Sequence, residues 1–289
     1  MAKKISIVVT VLNEEKTIKE LLDVLVKFPA EIIIVDGGST DNTVSKCKEY
    51  KSIKIITGKY NRSEGRNIGV SIAKGEIIVF TDAGCVPEKN WLEELTKVKA
   101  EVVAGYYEGL PQNVFEKCLV PYVLVMPDRI GSGFLPSTRS MAITKKLFFS
   151  SGGFNTKLDT SEDFEFANRL KKAGTKFVFA RDAVVGWYPR KNLKQAAWMF
   201  LRFAVSDIYA GIMRPKVKFL ILRYYLFFFL VFINMWFGLL AVLYIVWSIV
   251  KNYKYVKDLR AFFWLPVLQL TADMCVIFGT VMGMLSKPK

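Results

Sequence analysis

Along the first 105 residues, short apolar runs rich in branched side chains alternate with segments whose apolar positions recur every three or four residues. ISIVVTV (5–11) and EIIIVD (31–36) have the pattern of buried strands, and IKIIT (53–57), EIIVFT (76–81) and EVVAG (101–105) continue the series. Between the first two runs, EKTIKELLDVLVKF (15–28) sets Ile18, Leu21, Leu22, Leu25 and Val26 along one helical face. Further helices are expected over about 42–50, 65–74 and 87–98. This repetition predicts an α/β domain with a mainly parallel sheet covered by helices on both faces. In such a sheet, ligands bind beyond the carboxyl ends of the strands. Asp36 and Asp82 fall at two of those ends.

From about 106 to 160 the alternation loosens. LPSTRSMAIT (135–144) reads as a strand and SSGGFN (150–155) as a turn. SEDFEFANRLKKAG (161–174) then predicts a helix, with Ser161 at its N-cap and acids in its first turn. Phe164, Ala167 and Leu170 supply its apolar face, and Gly174 stops it.

The remainder of the chain is of another kind. NLKQAAWMFLRFAVSDIYAGIM (192–213) is apolar over much of its surface, carries Lys194, Arg202 and Asp207, and is flanked by basic residues. That is the pattern of a helix lying in a membrane interface; a helix packed on the front domain is the alternative. The stretch 224–250 is 27 residues without a charge, long enough to cross a membrane with some tilt. A second apolar stretch, 261–285, has Gly279 and Gly283 at a spacing that permits close helix packing. Asp273 lies inside this stretch, and the cost of burying a charge in lipid predicts that it faces protein. The expected organisation is a catalytic domain over 1–190, an interfacial helix region over 191–218, and a transmembrane region over 219–289. The basic loop 251–260 opposes the basic residues at 214–223, Lys287 and Lys289 in setting orientation, so charge leaves the topology open.

Charge adds to this picture. The formal net charge is +15, but from Trp187 onward there are 14 Lys and Arg residues against three acids. A basic, apolar back half fits a domain seated on an anionic membrane surface rather than a nucleic-acid binder. The chain contains no histidine, which excludes a Ser-His-Asp triad, a histidine-ligated metal and a histidine base. Its four cysteines are scattered, with neither metal-binding nor disulfide spacing. Met1-Ala2-Lys3-Lys4 leads directly into a strand-like run without a visible secretory signal. The expectation is a multi-pass protein of the cell membrane with its front domain in the cytoplasm.

Three acid-bearing segments carry the candidate chemistry: VDGGSTD (35–41), FTDAGC (80–85) and TSEDFEF (160–166). Asp36 ends a strand and opens a Gly-rich turn, where a carboxylate can hold ribose hydroxyls or a base N–H. Asn13 and Glu14, after the first strand, border the same crevice. Arg66 in SEGRNIG opens a predicted helix, a position that favours phosphate. Asp82 can give one carboxylate to a divalent cation, but Gly84 stands two residues on, where a second acid would strengthen the hold. Glu162 and Asp163 open a helix whose dipole favours the ionised form required of a base. Taken singly, each segment also reads as a solvated loop or helix end; their succession favours chemistry.

VVTVLNEE (8–15), VDGGSTDNT (35–43), GRNIG (65–69), FTDAGC and GGFN…SEDFEFANRL (152–170) follow one another in the order seen in family 2 glycosyltransferases, which the chain resembles over roughly 5–180. The resemblance implies a GT-A fold (Rossmann-like), a nucleotide diphospho-sugar donor, a divalent metal (Mg or Mn) and inversion at the anomeric carbon. It implies that Asp36 holds the nucleoside and Asp82 is the first acid of the DxD metal motif. Asp163 is implied as the base of the ED motif, beside Glu162. With Asn13, Glu14, Ser39 and Arg66, Asp36 and Asp82 make up the candidate donor site, and Arg202 is a further candidate pyrophosphate contact. The chain departs from the pattern at Gly37, where a second acid often follows Asp36, and at Gly84. The QxxRW motif of processive members is missing; Gln195 and Trp198 are a partial echo, with Arg202 one turn on. The implied function is transfer of a sugar to a hydroxyl of a lipid or lipid-linked acceptor. Two alternatives are transfer to a polyprenyl phosphate, as in the similar dolichyl-phosphate mannose synthases, and a non-catalytic membrane scaffold or transport component that retains a nucleotide-sugar fold.

Overall fold

A computed structural model describes residues 4–131 and 134–286, which divide into two compact units. The first comprises Met1–Glu108 and Ile130–Tyr188, and the second Gly109–Arg129 and Pro189–Lys289. Met1–Lys3, and Lys287 and Lys289 of the charge count, lie outside the described residues.

In chain order the front elements are β1 (Ile5–Val11), α1 (Ile18–Leu25), β2 (Glu31–Asp36), α2 (Thr43–Lys48), β3 (Ile53–Thr57), α3 (Arg62–Ile72) and β4 (Ile77–Phe80). They continue with β5 (Cys85–Pro87), α4 (Trp91–Thr96), β6 (Val102–Gly109), α5 (Val114–Val123), β7 (Met141–Thr144), α6 (Lys145–Ser150), α7 (Glu162–Lys172) and β8 (Phe177–Trp187). The back helices are α8 (Leu193–Tyr209), α9 (Pro215–Ile233), α10 (Leu239–Val256) and α11 (Ala261–Leu285).

The first unit is built on an eight-stranded sheet of order β3-β2-β1-β4-β7-β6-β8-β5. β3, β2, β1 and β4 are parallel, as the βα alternation predicts. β7 then runs antiparallel to β4 and to β6, and β5 antiparallel to β8. The sheet therefore joins a parallel half to a half in which the β4–β7, β7–β6 and β8–β5 pairs are antiparallel. In the parallel half Val11 pairs with Asp36, and Asp36 with Thr57, so the loops after β1 and β2 leave from one edge. Val8, Ile33, Val35, Ile78 and Phe80 pack under Val70, Phe148, Phe154, Phe166 and Leu170 to form the core beneath that edge.

Local chemistry moves several expected boundaries. α3 begins at Arg62 rather than 65 because Asn61 caps Glu64 N and the Glu64 side chain returns to Asn61 N, a reciprocal capping box. The strand expected over 135–144 is confined to 141–144, and the helix expected from 87 is preceded by β5. β8 covers 177–187, where the periodicity predicts nothing definite.

In the second unit the apolar run 224–250 is not one helix. It breaks at Asn234, whose extended backbone (φ −152°) ends α9 and whose side chain accepts from Trp236 N. The helices long and apolar enough to cross a membrane are Met235–Val256 and Ala261–Leu285. Ala196, Met199, Phe200, Ala204 and Ile208 of α8 are buried and α8 lies along α11, so its apolar face is covered within the unit. Gly279 and Gly283 permit this approach: a Cβ at Gly279 would stand 2.7 Å from Leu201 O, and one at Gly283 would stand 2.9 Å from Ile208 Cβ. Asp273 faces protein, as expected. It accepts from Arg223 (3.0 Å), Tyr224 (3.0 Å), Tyr244 (2.5 Å) and Gln269 (3.0 Å), which links α9, α10 and α11.

Candidate active site

The site lies in the first unit and is assembled around α3. Gly65 and Gly69 face the sheet; Cβ atoms there would stand 2.9 Å from Thr10 Cγ2 and 2.4 Å from Val8 Cγ1. Only glycine lets the helix lie this close, and the approach buries the neighbouring Arg66, whose side chain is 1% exposed. Its guanidinium donates through Nη1 to Glu162 Oε1 and through Nη2 to Asp82 Oδ1 at 2.8 Å, and it lies over the Phe154 ring at 5.5 Å. Arg66 is thus not at the exposed start of a helix, as the sequence predicts, but in the second turn, joining two of the three acidic segments.

Neighbours of Arg66 on α3 hold the stretch that leads into the third segment. Asn67 accepts from Phe154 N (2.9 Å) and donates to Phe154 O (2.9 Å), Ser63 donates to Leu158 O (2.5 Å), and Arg62 N donates to Asp159 (3.1 Å). The GGFN segment is tied to α3 in this way before the chain enters α7. Ser161 stands at the N-cap of α7 as expected, but in the left-handed region (φ 58°) and without a side-chain capping bond. A left-handed serine costs of order 1 kcal/mol and is tolerated where the surroundings determine it. The turn delivers Glu162, buried, to Arg66 and leaves Asp163 half-buried. Asp163 Oδ2 accepts from Ser137 Oγ at 2.7 Å, and Oδ1 from Phe164 N at 2.8 Å.

Electrostatics follow from this crowding. Burial opposes ionisation of Asp82, yet the charges of Arg66, Arg62 and Arg139 hold its carboxyl below the usual range. Burial pushes Glu162 above that range, against the pull of Arg66.

Arg139 is absent from the sequence expectations. Its guanidinium lies 5.3 Å from the ring centre of Tyr107 and 5.3 Å from that of Trp187, and it is electrostatically coupled to Asp82 and Asp163. The available signal was a lone cation just before the apolar strand MAIT, in a stretch read as strand throughout.

A second group lies beyond β1 and β2. Asp36 is buried, and its carboxylate accepts from Gly38 N (3.0 Å) and Ser39 N (3.1 Å). Asn13 donates from its backbone to Ser39 Oγ (2.8 Å) and accepts from Thr40 N (2.8 Å). Glu14 N donates to Thr43 Oγ1 (2.7 Å), while its carboxylate accepts from Thr17. Asn13, Glu14, Asp36 and Ser39 therefore form one cross-linked pair of loops. At Gly37 a Cβ would stand 2.7 Å from Tyr60 O, which explains why no second acid follows Asp36. Arg202 is on α8 in the second unit and is exposed.

Residues 6–105 match the model of Glycosyl transferase family 2. Over 97% of its length the chain is 27% identical to the dolichyl N-acetyl-alpha-D-glucosaminyl phosphate 3-beta-D-2,3-diacetamido-2,3-dideoxy-beta-D-glucuronosyltransferase of Methanococcus voltae, 97% of which is covered. Among solved structures it is similar to GalNAc-T7 with UDP, GalNAc and Mn2+ (TM-score 0.54, 19% identity), over 71% of this chain and 47% of that one. It is also similar to residues 1–349 of Staphylococcus aureus TarS in complex with UDP-GlcNAc (TM-score 0.51, 18% identity), over 98% of this chain and 92% of that one. These likenesses identify the curled mixed sheet as the GT-A fold.

The Mn2+ of GalNAc-T7 raises the question of whether the residues here fit a divalent ion. Among the described residues no three Asp, Glu, Cys or His side chains come together as ligands. Asp82 is the one carboxylate of the DxD position, one of its oxygens is bonded to Arg66, and Gly84 has no neighbouring atom within 4 Å where a second ligand would stand. A hard cation typically keeps about six oxygen ligands. This donor set does not make a preformed metal centre.

Proposed function

Taking as premise that this chain is a family 2 glycosyltransferase of the GT-A fold, we propose that it moves a sugar from a nucleotide diphospho-sugar to a hydroxyl of a lipid-linked acceptor at a membrane surface. The observation that carries this reading is the gathering of Asp82, Glu162 and Asp163 around Arg66, beyond the carboxyl ends of the parallel strands. Two of the acids are held by the buried guanidinium. Asp163, bonded to Ser137, is left to act as base. It takes the proton of the acceptor hydroxyl as that oxygen bonds to the anomeric carbon, and the bond to the diphosphate oxygen breaks on the opposite face, inverting the centre. The laced loops of Asn13, Asp36 and Ser39 receive the nucleoside. Support for a lipid-linked acceptor comes from the full-length likeness to the Methanococcus voltae enzyme, named for a dolichyl-linked sugar phosphate, and from the two apolar helices. The proposed placement is a cell membrane crossed more than once, with the catalytic unit on the cytoplasmic side.

The test uses the full chain in detergent with native-like lipid, a panel of UDP- and GDP-sugars, and either dolichyl phosphate or a dolichyl phosphate-linked sugar as acceptor. Glycosylation of the linked sugar is expected. Asp163→Asn should reduce transfer about 10²- to 10⁴-fold, the range of general base catalysis, while donor binding is kept. Unchanged turnover in that variant would remove Asp163 from the role. Transfer to dolichyl phosphate alone would replace the hydroxyl acceptor with a phosphate.

A further inference from the structure

Arg66 and Arg139 both feel the charges of Asp82 and Asp163 but differ in one respect. The donors of Arg66 are taken up by Glu162 and Asp82. The guanidinium of Arg139 is half-buried, and among the described residues it meets no hydrogen-bond acceptor; its contacts are the faces of Tyr107 and Trp187. A planar cation held over two rings, with its N–H fork unspent, suits an oxyanion with two acceptor oxygens. The guanidinium also feels the charges of Asp82, whose segment is expected to face the donor diphosphate, and of Asp163, the proposed base. The charge balance points the same way. Sugar transfer leaves an additional negative charge on the diphosphate, and among the described residues the DxD position offers a cation only the Asp82 carboxylate to share that charge.

We propose that Arg139 is the diphosphate-binding residue of this enzyme and neutralises the departing nucleoside diphosphate in the role a preformed metal centre would otherwise fill. As the bond between the anomeric carbon and the distal phosphate oxygen breaks, its electron pair stays on that oxygen, and the Arg139 fork donates to the phosphate without giving up a proton. This assignment rests on the donor reading above. Tyr107 and Trp187 act through it as positioning residues, because the guanidinium lies over both rings.

The probes are UDP and GDP, with uridine and guanosine as controls, titrated against the full chain in EDTA. The wild type is expected to bind one of the two diphosphates. Arg139→Ala should weaken that diphosphate about 10- to 100-fold, the worth of hydrogen bonds to a charged group, and leave the matching nucleoside unchanged. Arg139→Lys, which keeps the charge but loses the fork and the stacking, should fall between. Equal losses for diphosphate and nucleoside, or no loss at all, would overturn the assignment while the enzyme still turns over its donor. So would a loss confined to the affinity for dolichyl phosphate, which would make the bound oxyanion the acceptor's. Failure of the wild type to bind either diphosphate, with or without Mn2+, would remove the donor reading itself and Arg139 with it.

Discussion

Replacing Arg66 by methionine tests the construction of the site most directly. The side chain is 1% exposed, and its partners differ: Glu162 is 3% exposed and Asp82 34%. Removing one member of a buried ion pair costs ~3–5 kcal/mol, because the remaining charge stays buried without compensation. Asp82 recovers part of its hydration, so its share is screened and the total belongs near the low end, about 3 kcal/mol. For a domain of this size that lowers the melting temperature by roughly 6–12 °C. The assay is a thermal melt of the full chain in detergent, followed by circular dichroism across a pH series. The pH dependence has a definite sign. Asp82 has its carboxyl held below the usual range in the folded state, so its contribution is fully present above about pH 4 and is lost as pH falls through the lowered value. The difference between wild type and Arg66→Met should therefore shrink in acid, where neutral carboxyls no longer need the guanidinium. Adding Glu162→Gln to the variant should restore part of the loss near neutrality. A melting temperature within about 2 °C of wild type near neutrality would refute the reasoning.

Gly84→Asp should be accommodated with little change in melting temperature, because nothing lies within 4 Å of the new Cβ. By supplying a second acid two residues from Asp82 it should make turnover respond to added Mn2+ more strongly than in wild type; an equal response in both proteins would contradict the account of the donor set. In the second unit, Gly279→Leu should force α8 from α11 and cost about 1–3 kcal/mol of stability. Gly238→Ala, where space is open, is the control, and equal melting temperatures for the two variants would count against the close packing.

The acids of the candidate site were legible because each sits in a local pattern: a strand end followed by a Gly-rich turn for Asp36, a strand end for Asp82, a helix start for Glu162 and Asp163. Their partners were not. Arg66 reads as a phosphate ligand at an exposed helix start, yet the capping box sets the helix start at Arg62 and glycine packing buries the guanidinium. Nothing in a sequence window relates Asn67 to Phe154, 87 positions away, although this pair explains why GRN and GGFN occur in one chain.

The alternation of strands and helices, the parallel order through β4, the exclusion of a histidine base and the presence of two long apolar stretches in the back half are all written in the sequence. These depend on periodicity, turn chemistry and composition, which act over a few residues. Tertiary structure decided that β7 enters antiparallel, that the run 224–250 breaks at Asn234, and that Arg66 serves carboxylates 16 and 96 residues away while Arg139 keeps its donors open between two rings. Such outcomes turn on which buried charges meet once the chain is compact, and the energy of a buried charge depends on partners that no local pattern identifies.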